Sequence, residues 1–546
     1  MKSQWKCLNL GNYTNKANGR RRQKYTTPCD ACANSKIKCD SNLPCSRCSR
    51  LKKSCTFKRK KRPTGDPHPI DSPENQQYES ATALEVFSNT GNWGTGFGVY
   101  TLGSAEEIIS KEILLPFIDI YWKWYYGNWP ILPARSLSTR CQSLNPTSTT
   151  PASIDNVLCY SLSCAVAAAI ANQLTFLKSD NPINFDLEHI DIDRLIQESV
   201  RARNLINYRA LPSVDNILIS FFQYIYYVNV EGYMDSGLLC MKEAIDIAQI
   251  FRMRHWRMKQ GHSTLEMHSL SKIHYMLLIS ERYMCIEQNL PVCLESSLPL
   301  PTSDLDENPS LLAGFQELVK CFALVDRSFF DNLISYTTKQ TNYLSASHSN
   351  WFPRRSWIKT INSKLKDIQI VHACGETQMM NVTLSKHWMR ALVWNLSHEN
   401  NFTTDVQPEH YLSYKHPVSI ARDFLDETSS LSSFAFESNG PGLCVKLLEI
   451  TCRVADSITI TGDLGALPVL QTMFDLVLQY KSDITISRSI YLKVKSVLQK
   501  ASSSFNEFPA FNLDLFDLQI PSIVSSPYSN LAMSRKEEQS ETLHNH

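Results

Sequence analysis

The stretch Cys29-Asp-Ala-Cys32-Ala-Asn-Ser-Lys36-Ile-Lys38-Cys39-Asp-Ser-Asn-Leu-Pro44-Cys45-Ser-Arg47-Cys48-Ser-Arg50-Leu-Lys52-Lys53-Ser-Cys55 places six cysteines within 27 residues, spaced C-x2-C-x6-C-x5-C-x2-C-x6-C. The pattern is a repeat: a Cys-x-x-Cys, six residues, a third cysteine. Each half offers three thiolates, whereas a structural zinc takes four ligands in a tetrahedron. Two Zn2+ need eight bonds and six sulfurs are present, so two thiolates must serve both metals. Cys29 and Cys45, the first cysteine of each half, are the natural bridges. A disulfide framework needs an oxidising compartment. The opening Met1-Lys-Ser-Gln-Trp-Lys6 has no apolar run of the kind a secretory signal shows.

Charge is distributed as unevenly as the cysteines. The net charge of +2 hides a basic head and an acidic body. Residues 1–62 carry 18 Lys and Arg against Asp30 and Asp40 alone, a net of +16, and the remainder carries −14. Only the head is suited to meet a polyanion. Lys36, Lys38, Arg47, Lys52 and Lys53 surround a cluster whose six thiolates and two Zn2+ sum to −2. A segment of about 30 residues cannot bury enough apolar surface to fold alone, so metal binding supplies its folding energy.

With all six cysteines in place, residues 29–62 resemble the DNA-binding domain of the fungal binuclear zinc-cluster transcription factors. The resemblance implies Cys29, Cys32, Cys39 and Cys45 on one zinc and Cys29, Cys45, Cys48 and Cys55 on the other. It implies a tight turn at Pro44 and a short helix after each Cys-x-x-Cys, the first over Ala33–Lys38 entering the major groove to read a CGG-like triplet. Lys36 is then the base-reading residue, since lysine donates to guanine O6 and N7. Lys38 supports it or touches phosphate, and Arg47, Arg50, Lys52 and Lys53 hold phosphates, which give affinity without sequence information. Two positions depart from the family pattern. Ser35 replaces one of its usual basic pair, and Ala33 stands where an arginine usually follows the second cysteine. Lys58-Arg59-Lys60-Lys61-Arg62 fits a nuclear import signal read by an import receptor.

Residues 1–24 read as a disordered basic arm, 25–62 as the zinc-cluster domain and 63–103 as a linker broken by Pro63, Pro67, Pro69 and Pro73. Many family members dimerise through a coiled coil in this linker. No run of apolar a/d heptads appears here, and a homodimer stays an open expectation. From the capping box Ser104-Ala-Glu-Glu107 onward the pattern is helical. Helix-period apolar spacing recurs over roughly 104–126, 154–176, 191–207, 213–230, 236–251, 270–288, 309–337, 355–370, 380–398, 416–432, 441–460, 464–480 and 486–502. The clearest pair carries Ile217, Phe221, Tyr224, Ile225 and Val228 on one stripe and Leu238, Met241, Ile245 and Ala248 on the next. No βαβ rhythm competes, so 104–502 is expected to be an all-α regulatory domain beside the small zinc-nucleated one.

Ile118–Pro133, Pro212–Arg254 and Leu277–Pro301 resemble the middle homology region of the same factors. The last of these contains Glu281-Arg282-Tyr283 and Asn289-Leu-Pro291. With His387-Trp388-Met-Arg390 and Pro417-Val-Ser-Ile-Ala-Arg422, these stretches look nearest to the maltose and starch-utilisation activators. That resemblance implies a small-molecule inducer and a body that holds the activator silent until it arrives.

Other signals are set aside. Asn156–Leu177 carries no charge over 22 residues, long enough to cross a bilayer, but Asn156, Ser161, Ser163, Asn172 and Gln173 favour a core helix, and no membrane partner is expected. His255, His262, His268 and His274 recur at the wrong spacing for a zinc site and are expected on the surface. Tyr121-Trp-Lys-Trp-Tyr-Tyr126 is expected to pack between helices, Gly440-Pro-Gly442 to form a turn before a helix, and Cys7 with Cys141 to Cys452 to be reduced thiols. No P-loop, dinucleotide fingerprint or G-x-S-x-G elbow is present, so an enzyme is not expected.

Beyond the body, residues 503–546 are read as a disordered tail. Ala501–Ser534 contains no Lys or Arg, and Phe505–Leu518 interleaves aromatics with acids. This is the composition of an amphipathic activation segment, with Phe511, Leu515 and Phe516 as the residues that anchor in a transcriptional coactivator. The expected function is a nuclear, sequence-specific DNA-binding regulator of RNA polymerase II transcription that activates sugar-utilisation genes. A repressor of the same class, or a zinc-module scaffold without DNA contact, are the alternatives.

Overall fold

The computed structural model describes residues 28–56, without 36 and 43, and residues 108–504 without 145–152, 179–180, 258–263, 289, 328, 330–354, 370–373, 406–409 and 481–487. The chain divides into two units, Met1–Thr95 and Gly96–His546. The basic arm, the linker, the Ser104–Glu107 capping box, Lys58–Arg62 and the activation residues Phe511, Leu515 and Phe516 lie outside the described residues.

The first unit is built on two five-residue helices, α1 (Asp30–Asn34) and α2 (Ser46–Arg50). Its interior is made of cysteine: Cys29, Cys32, Cys45 and Cys48 are buried, with Cys39 and Cys55 packed against them.

The second unit is all helix among its described residues, in agreement with the sequence pattern. Its first half is wrapped around Ile154–Leu174. That helix is apolar on every side, so it can only be central, and it is not a membrane span: 83% of its most apolar window is buried in the protein. Ala165, Ala167, Ala168, Ala169 and Ala171 have no exposed surface, and their small size lets Ile192–Asn204 and Val214–Tyr227 approach closely. Ser153 caps its start by accepting the Asn156 amide at 3.2 Å. Ser161 Oγ donates to Ser199 O and Ser199 Oγ donates back to Ser161 O, at 2.8 and 2.9 Å. Val214–Tyr227 and Met234–Arg257 pack as the predicted pair.

In the second half, Gly442–Thr461 is the hub for Leu467–Tyr480, Glu376–Glu399, His416–Thr428 and Arg488–Ser504. Pro309–Ala323 packs on Glu376–Glu399 and Thr264–Gln288, which ties the halves into one core. Gly440-Pro-Gly442 forms the expected turn, with Gly440 at a φ of 70°.

Several local readings are corrected. Ala134–Ser143 is a helix the pattern did not show, because only Ala134, Leu137 and Cys141 are buried among polar neighbours. The first body helix runs Lys111–Ile120 and then opens into one π-helical turn, Tyr121–Tyr125. Its tyrosines Tyr121 and Tyr125 are buried, as packing required. Within the predicted 309–337 stretch, Pro309–Ala323 is one helix followed by a break at 324–326, and residues 328 and 330–337 lie outside the described ones. His268 and His274, expected on the surface, are buried. His268 Nε2 pairs with Asp306 at 3.2 Å, and His274 Nε2 lies 2.9 Å from Glu295 O. A nearby hydrogen-bond partner makes such burial tolerable. The described body cysteines form no disulfide, and all are buried except Cys240 and Cys293.

The stretch Leu277–Pro301 is held by two buried side chains. Glu281 is fully buried; its carboxylate accepts the amides of Cys293 and Leu294, both at 2.8 Å, and Lys242 Nζ at 3.2 Å. Arg282 donates to Val325 O at 2.8 Å and to Leu294 O at 3.4 Å. One dipeptide thus pins the loop after its own helix and the end of the next. In His387-Trp388-Met-Arg390 the guanidinium of Arg390 donates to His387 Nδ1 at 3.1 Å. That fixes the proton on Nε2, which donates to Glu427 at 2.9 Å.

Candidate metal centre and nucleic-acid interface

The hydrogen bonds around the first Cys-x-x-Cys recur sixteen residues later around the second. The Cys29 Sγ accepts the Cys32 amide and the Cys45 Sγ accepts the Cys48 amide, both at 3.4 Å. The Cys29 amide points at Cys39 Sγ, and the Cys45 amide at Cys55 Sγ, at 3.5 and 3.3 Å. Ile37 N donates to Cys32 O and Lys53 N to Cys48 O, each at 3.0 Å. Cys29 and Cys45 are therefore also the N-caps of α1 and α2. Sequence reading missed this role, because serine, threonine, aspartate and asparagine are the usual caps. The structure also starts the helices earlier than expected: α1 begins between the two cysteines and ends at Asn34, so Lys38 lies beyond it; Lys36 is not among the described residues.

Cys29, Cys32, Cys39 and Cys45 converge to within 4.8 Å of one another, and so do Cys29, Cys45, Cys48 and Cys55. These are the two ligand sets the family resemblance implied, with Cys29 and Cys45 in both. Thiolates about 2.3 Å from one zinc in a tetrahedron sit roughly 3.8 Å apart. Cys29 Sγ lies 3.7 Å from Cys45 Sγ and from Cys48 Sγ, and Cys32 Sγ lies 3.6 Å from Cys45 Sγ. These separations are far beyond the ~2.05 Å of a disulfide, and they fit two zinc ions sharing two sulfurs. The amide of Cys48 leads in pulling the Cys45 thiol down to about 6. Burial works against ionising Cys29, but the amide and thiol hydrogen bonds from Cys32 outweigh it and lower that thiol too. The two positions that must carry negative charge for both metals are thus the two that the backbone stabilises as thiolates.

The acids of this unit hold its ends. Asp40 accepts the Ser46 amide at 3.2 Å, the Ser46 hydroxyl and Asn42 Nδ2, and the Ser46 hydroxyl leads in lowering its carboxyl to about 2. It secures the start of α2 from six residues away, a role no local pattern signals. The Asp30 amide donates to Thr56 O, and Thr56 Oγ1 donates to the Asp30 carboxylate, both at 2.7 Å, which fastens the end of the unit to its beginning.

With both acids engaged, the charge left to face outward is basic. Lys38, Arg50, Lys52 and Lys53 are exposed and Arg47 is half-buried. Arg47 and Arg50 stand in the last turn of α2. Lys52 closes that helix in the left-handed region at a φ of 50°.

Residues 27–64 match the Fungal Zn(2)-Cys(6) binuclear cluster domain. The chain is 32% identical over 483 residues to the "Probable sucrose utilization protein SUC1" of Candida albicans, covering 88% of this chain and 89% of that protein. It is 24% identical over 441 residues to the "Maltose fermentation regulatory protein MAL13" of Saccharomyces cerevisiae, covering 79% and 83%. Another Saccharomyces cerevisiae protein, "Maltose fermentation regulatory protein MAL33", is 23% identical over 438 residues, covering 79% and 84%.

Proposed function

From a chain that belongs to the fungal Zn(2)-Cys(6) zinc-cluster transcription regulators, and within them to the relatives of sucrose- and maltose-utilisation proteins, we propose an activator that acts in the nucleus on sugar-utilisation genes by reading CGG-like triplets in double-stranded DNA. The observation that carries this reading is the cluster itself: two small helices fixed by six thiolates, whose exposed side chains Lys38, Arg50, Lys52 and Lys53 are basic. Such a unit has one use for its charge, the phosphate backbone. Lys36 reads the triplet, while Arg47, Arg50, Lys52 and Lys53 set the register on the duplex. Lys58, Arg59, Lys60, Lys61 and Arg62 engage the import receptor. Phe511, Leu515 and Phe516 engage the coactivator.

Mapping the protein on chromatin, with and without sucrose or maltose as carbon source, tests this reading. Occupancy is expected at promoters carrying CGG-like triplets beside sugar transporter and glycosidase genes, with transcription rising when the sugar is supplied. Occupancy without such triplets would overturn the base reading, and transcription falling on binding would make the protein a repressor. A fusion of residues 501–530 to a foreign DNA-binding domain should activate a reporter and fall silent when Phe511, Leu515 and Phe516 become alanine.

A further inference from the structure

The turn that ends α2 holds a residue its backbone does not favour. Lys53 N donates to Cys48 O at 3.0 Å and Lys52 N to Ser49 O at 3.3 Å. This pair of bonds is a Schellman closure, in which the residue after the C-cap is left-handed. That residue is Lys52, at a φ of 50°. Glycine or asparagine is usual there, because a Cβ crowds the following carbonyl. Lys52 is exposed, and its side chain makes no hydrogen bond or ion pair among the described residues. The two acids of the unit are engaged elsewhere, Asp40 at the start of α2 and Asp30 with Thr56. No contact within the described unit accounts for a lysine at this position, and backbone strain of this kind accompanies side chains that have a function.

The internal repeat indicates which function. The first half is closed by the same bond, Ile37 N to Cys32 O at 3.0 Å. Lys36 stands four residues after Cys32, and Lys52 four residues after Cys48. Lys52 is thus the counterpart of the residue to which base reading is given under the proposed function. Holding a phosphate uses only its charge, and Arg50 and Lys53 supply that charge from ordinary backbone.

Leu51 points the same way. It is 47% exposed, in a unit whose interior is built from cysteine. A leucine gains nothing beside a phosphate. It suits the C5-methyl of thymine, the apolar group of the major groove, while the lysine next to it has donors for guanine O6 and N7. The counterpart of Leu51 in the first half is Ser35, so the two halves are not built for the same bases. We propose that Leu51 and Lys52 form a second base-reading end of the cysteine unit, in which Lys52 donates to a guanine and Leu51 packs on the methyl of a neighbouring thymine. The unit then recognises two sequences, a CGG-like triplet through Lys36 and a guanine–thymine step through Lys52. This rests on the reading of the unit as a DNA-binding module.

The test uses the full-length, zinc-loaded chain and a pool of randomised duplexes, sequenced after selection. The wild-type protein is expected to enrich both motifs. Lys52→Asn removes the cation and suits the left-handed backbone; it should lose the guanine–thymine motif and keep the triplet. Lys36→Ala should do the reverse, and Lys53→Ala should keep both. On a duplex carrying the second motif, 7-deazaguanine, which lacks N7, should weaken wild-type binding about tenfold by fluorescence anisotropy. Uracil in place of the thymine should weaken the wild-type protein but not Leu51→Ala. No second motif, a Lys52→Asn loss spread evenly over all duplexes, or indifference to 7-deazaguanine would overturn the proposal and leave Lys52 on phosphate. Should Lys52→Asn lose zinc by native mass spectrometry, the two modified duplexes with the wild-type protein still decide. A triplet preference that survives Lys36→Ala, beside a second motif lost in Lys52→Asn, would uphold this end and remove Lys36 from base reading. Enrichment of no sequence at all would overturn both.

Discussion

Cys29 and Cys45 lie 3.7 Å apart, sulfur to sulfur, each at the start of its own short helix and each accepting the amide three residues on at 3.4 Å. One relationship thus serves two ends. It sets the separation that two shared thiolates need between two zinc ions, and it aims both helix N-termini at the two sulfurs common to the ligand sets. The metal site and the helices it orients cannot be separated.

The first prediction follows from that sharing. The full-length chain should bind two zinc ions, counted by native mass spectrometry. Cys29→Ser or Cys45→Ser should lose both, because the removed sulfur belongs to both ligand sets. Cys32→Ser or Cys55→Ser should weaken one site more than the other. A ratio of one zinc per wild-type chain would contradict the two-metal arrangement.

Base reading and phosphate holding should separate by mutation. Lys36→Ala is expected to cost about 1–3 kcal/mol on a CGG-containing duplex and to relax the preference for it. Lys53→Ala should weaken every duplex alike and make the salt dependence shallower by about one unit. Lys53 is the cleaner probe of charge, since Lys52 also occupies a left-handed backbone position. Fluorescence anisotropy with specific and scrambled duplexes measures both; equal losses on the two duplexes for Lys36→Ala would move it to the phosphate group.

Glu281 should be among the costliest single positions in the body. Its fully buried carboxylate accepts two backbone amides and a lysine. Alanine there strands both buried amides and removes the carboxylate from Lys242, at a cost of about 2–5 kcal/mol. Urea denaturation followed by helical circular dichroism should show the midpoint fall; a change under about 1 kcal/mol would mean the loop finds other partners.

Acid should loosen the His387–Glu427 contact in a defined window. Burial alone would raise the Glu427 carboxyl, but the hydrogen bond from His387, with help from Lys386, holds it down at about 2. A carboxylate depressed on folding adds stability that is complete above its ordinary value of about 4.3 and fades as pH falls toward the folded value. Glu427→Gln should therefore lower stability at neutral pH and flatten its decline between about pH 4.3 and 2. Denaturant midpoints across that range check it; parallel declines in both proteins would assign the acid sensitivity elsewhere. His387 itself, pushed down by burial, stays neutral at pH 7 in the tautomer that Arg390 imposes.

The cysteine unit was legible in the sequence because all its ligands lie within 27 residues and their chemistry admits few arrangements. Zinc geometry left two shared sulfurs, and the first cysteine of each half was the natural choice. The helical body was legible for a similar local reason. Stripes such as Ile217, Phe221 and Tyr224 repeat at the period of one helix, and Leu238, Met241 and Ile245 follow one short turn later. Helices that bury only a few side chains, such as Ala134–Ser143, escaped because their periodicity was too thin to read.

What the tertiary structure alone decided is which distant residues meet. Burial of His268 depends on Asp306, which lies 38 positions on, and periodicity says nothing of such a partner. Asn128, Gln173 and Lys446 share a cavity although more than 300 residues separate the first from the last. The sequence determined the metal, the charge and the helices, because those depend on neighbours along the chain. Which distant residues meet depends on how close helices can approach, as the small alanines of Ile154–Leu174 let Ile192–Asn204 and Val214–Tyr227 come in across the core.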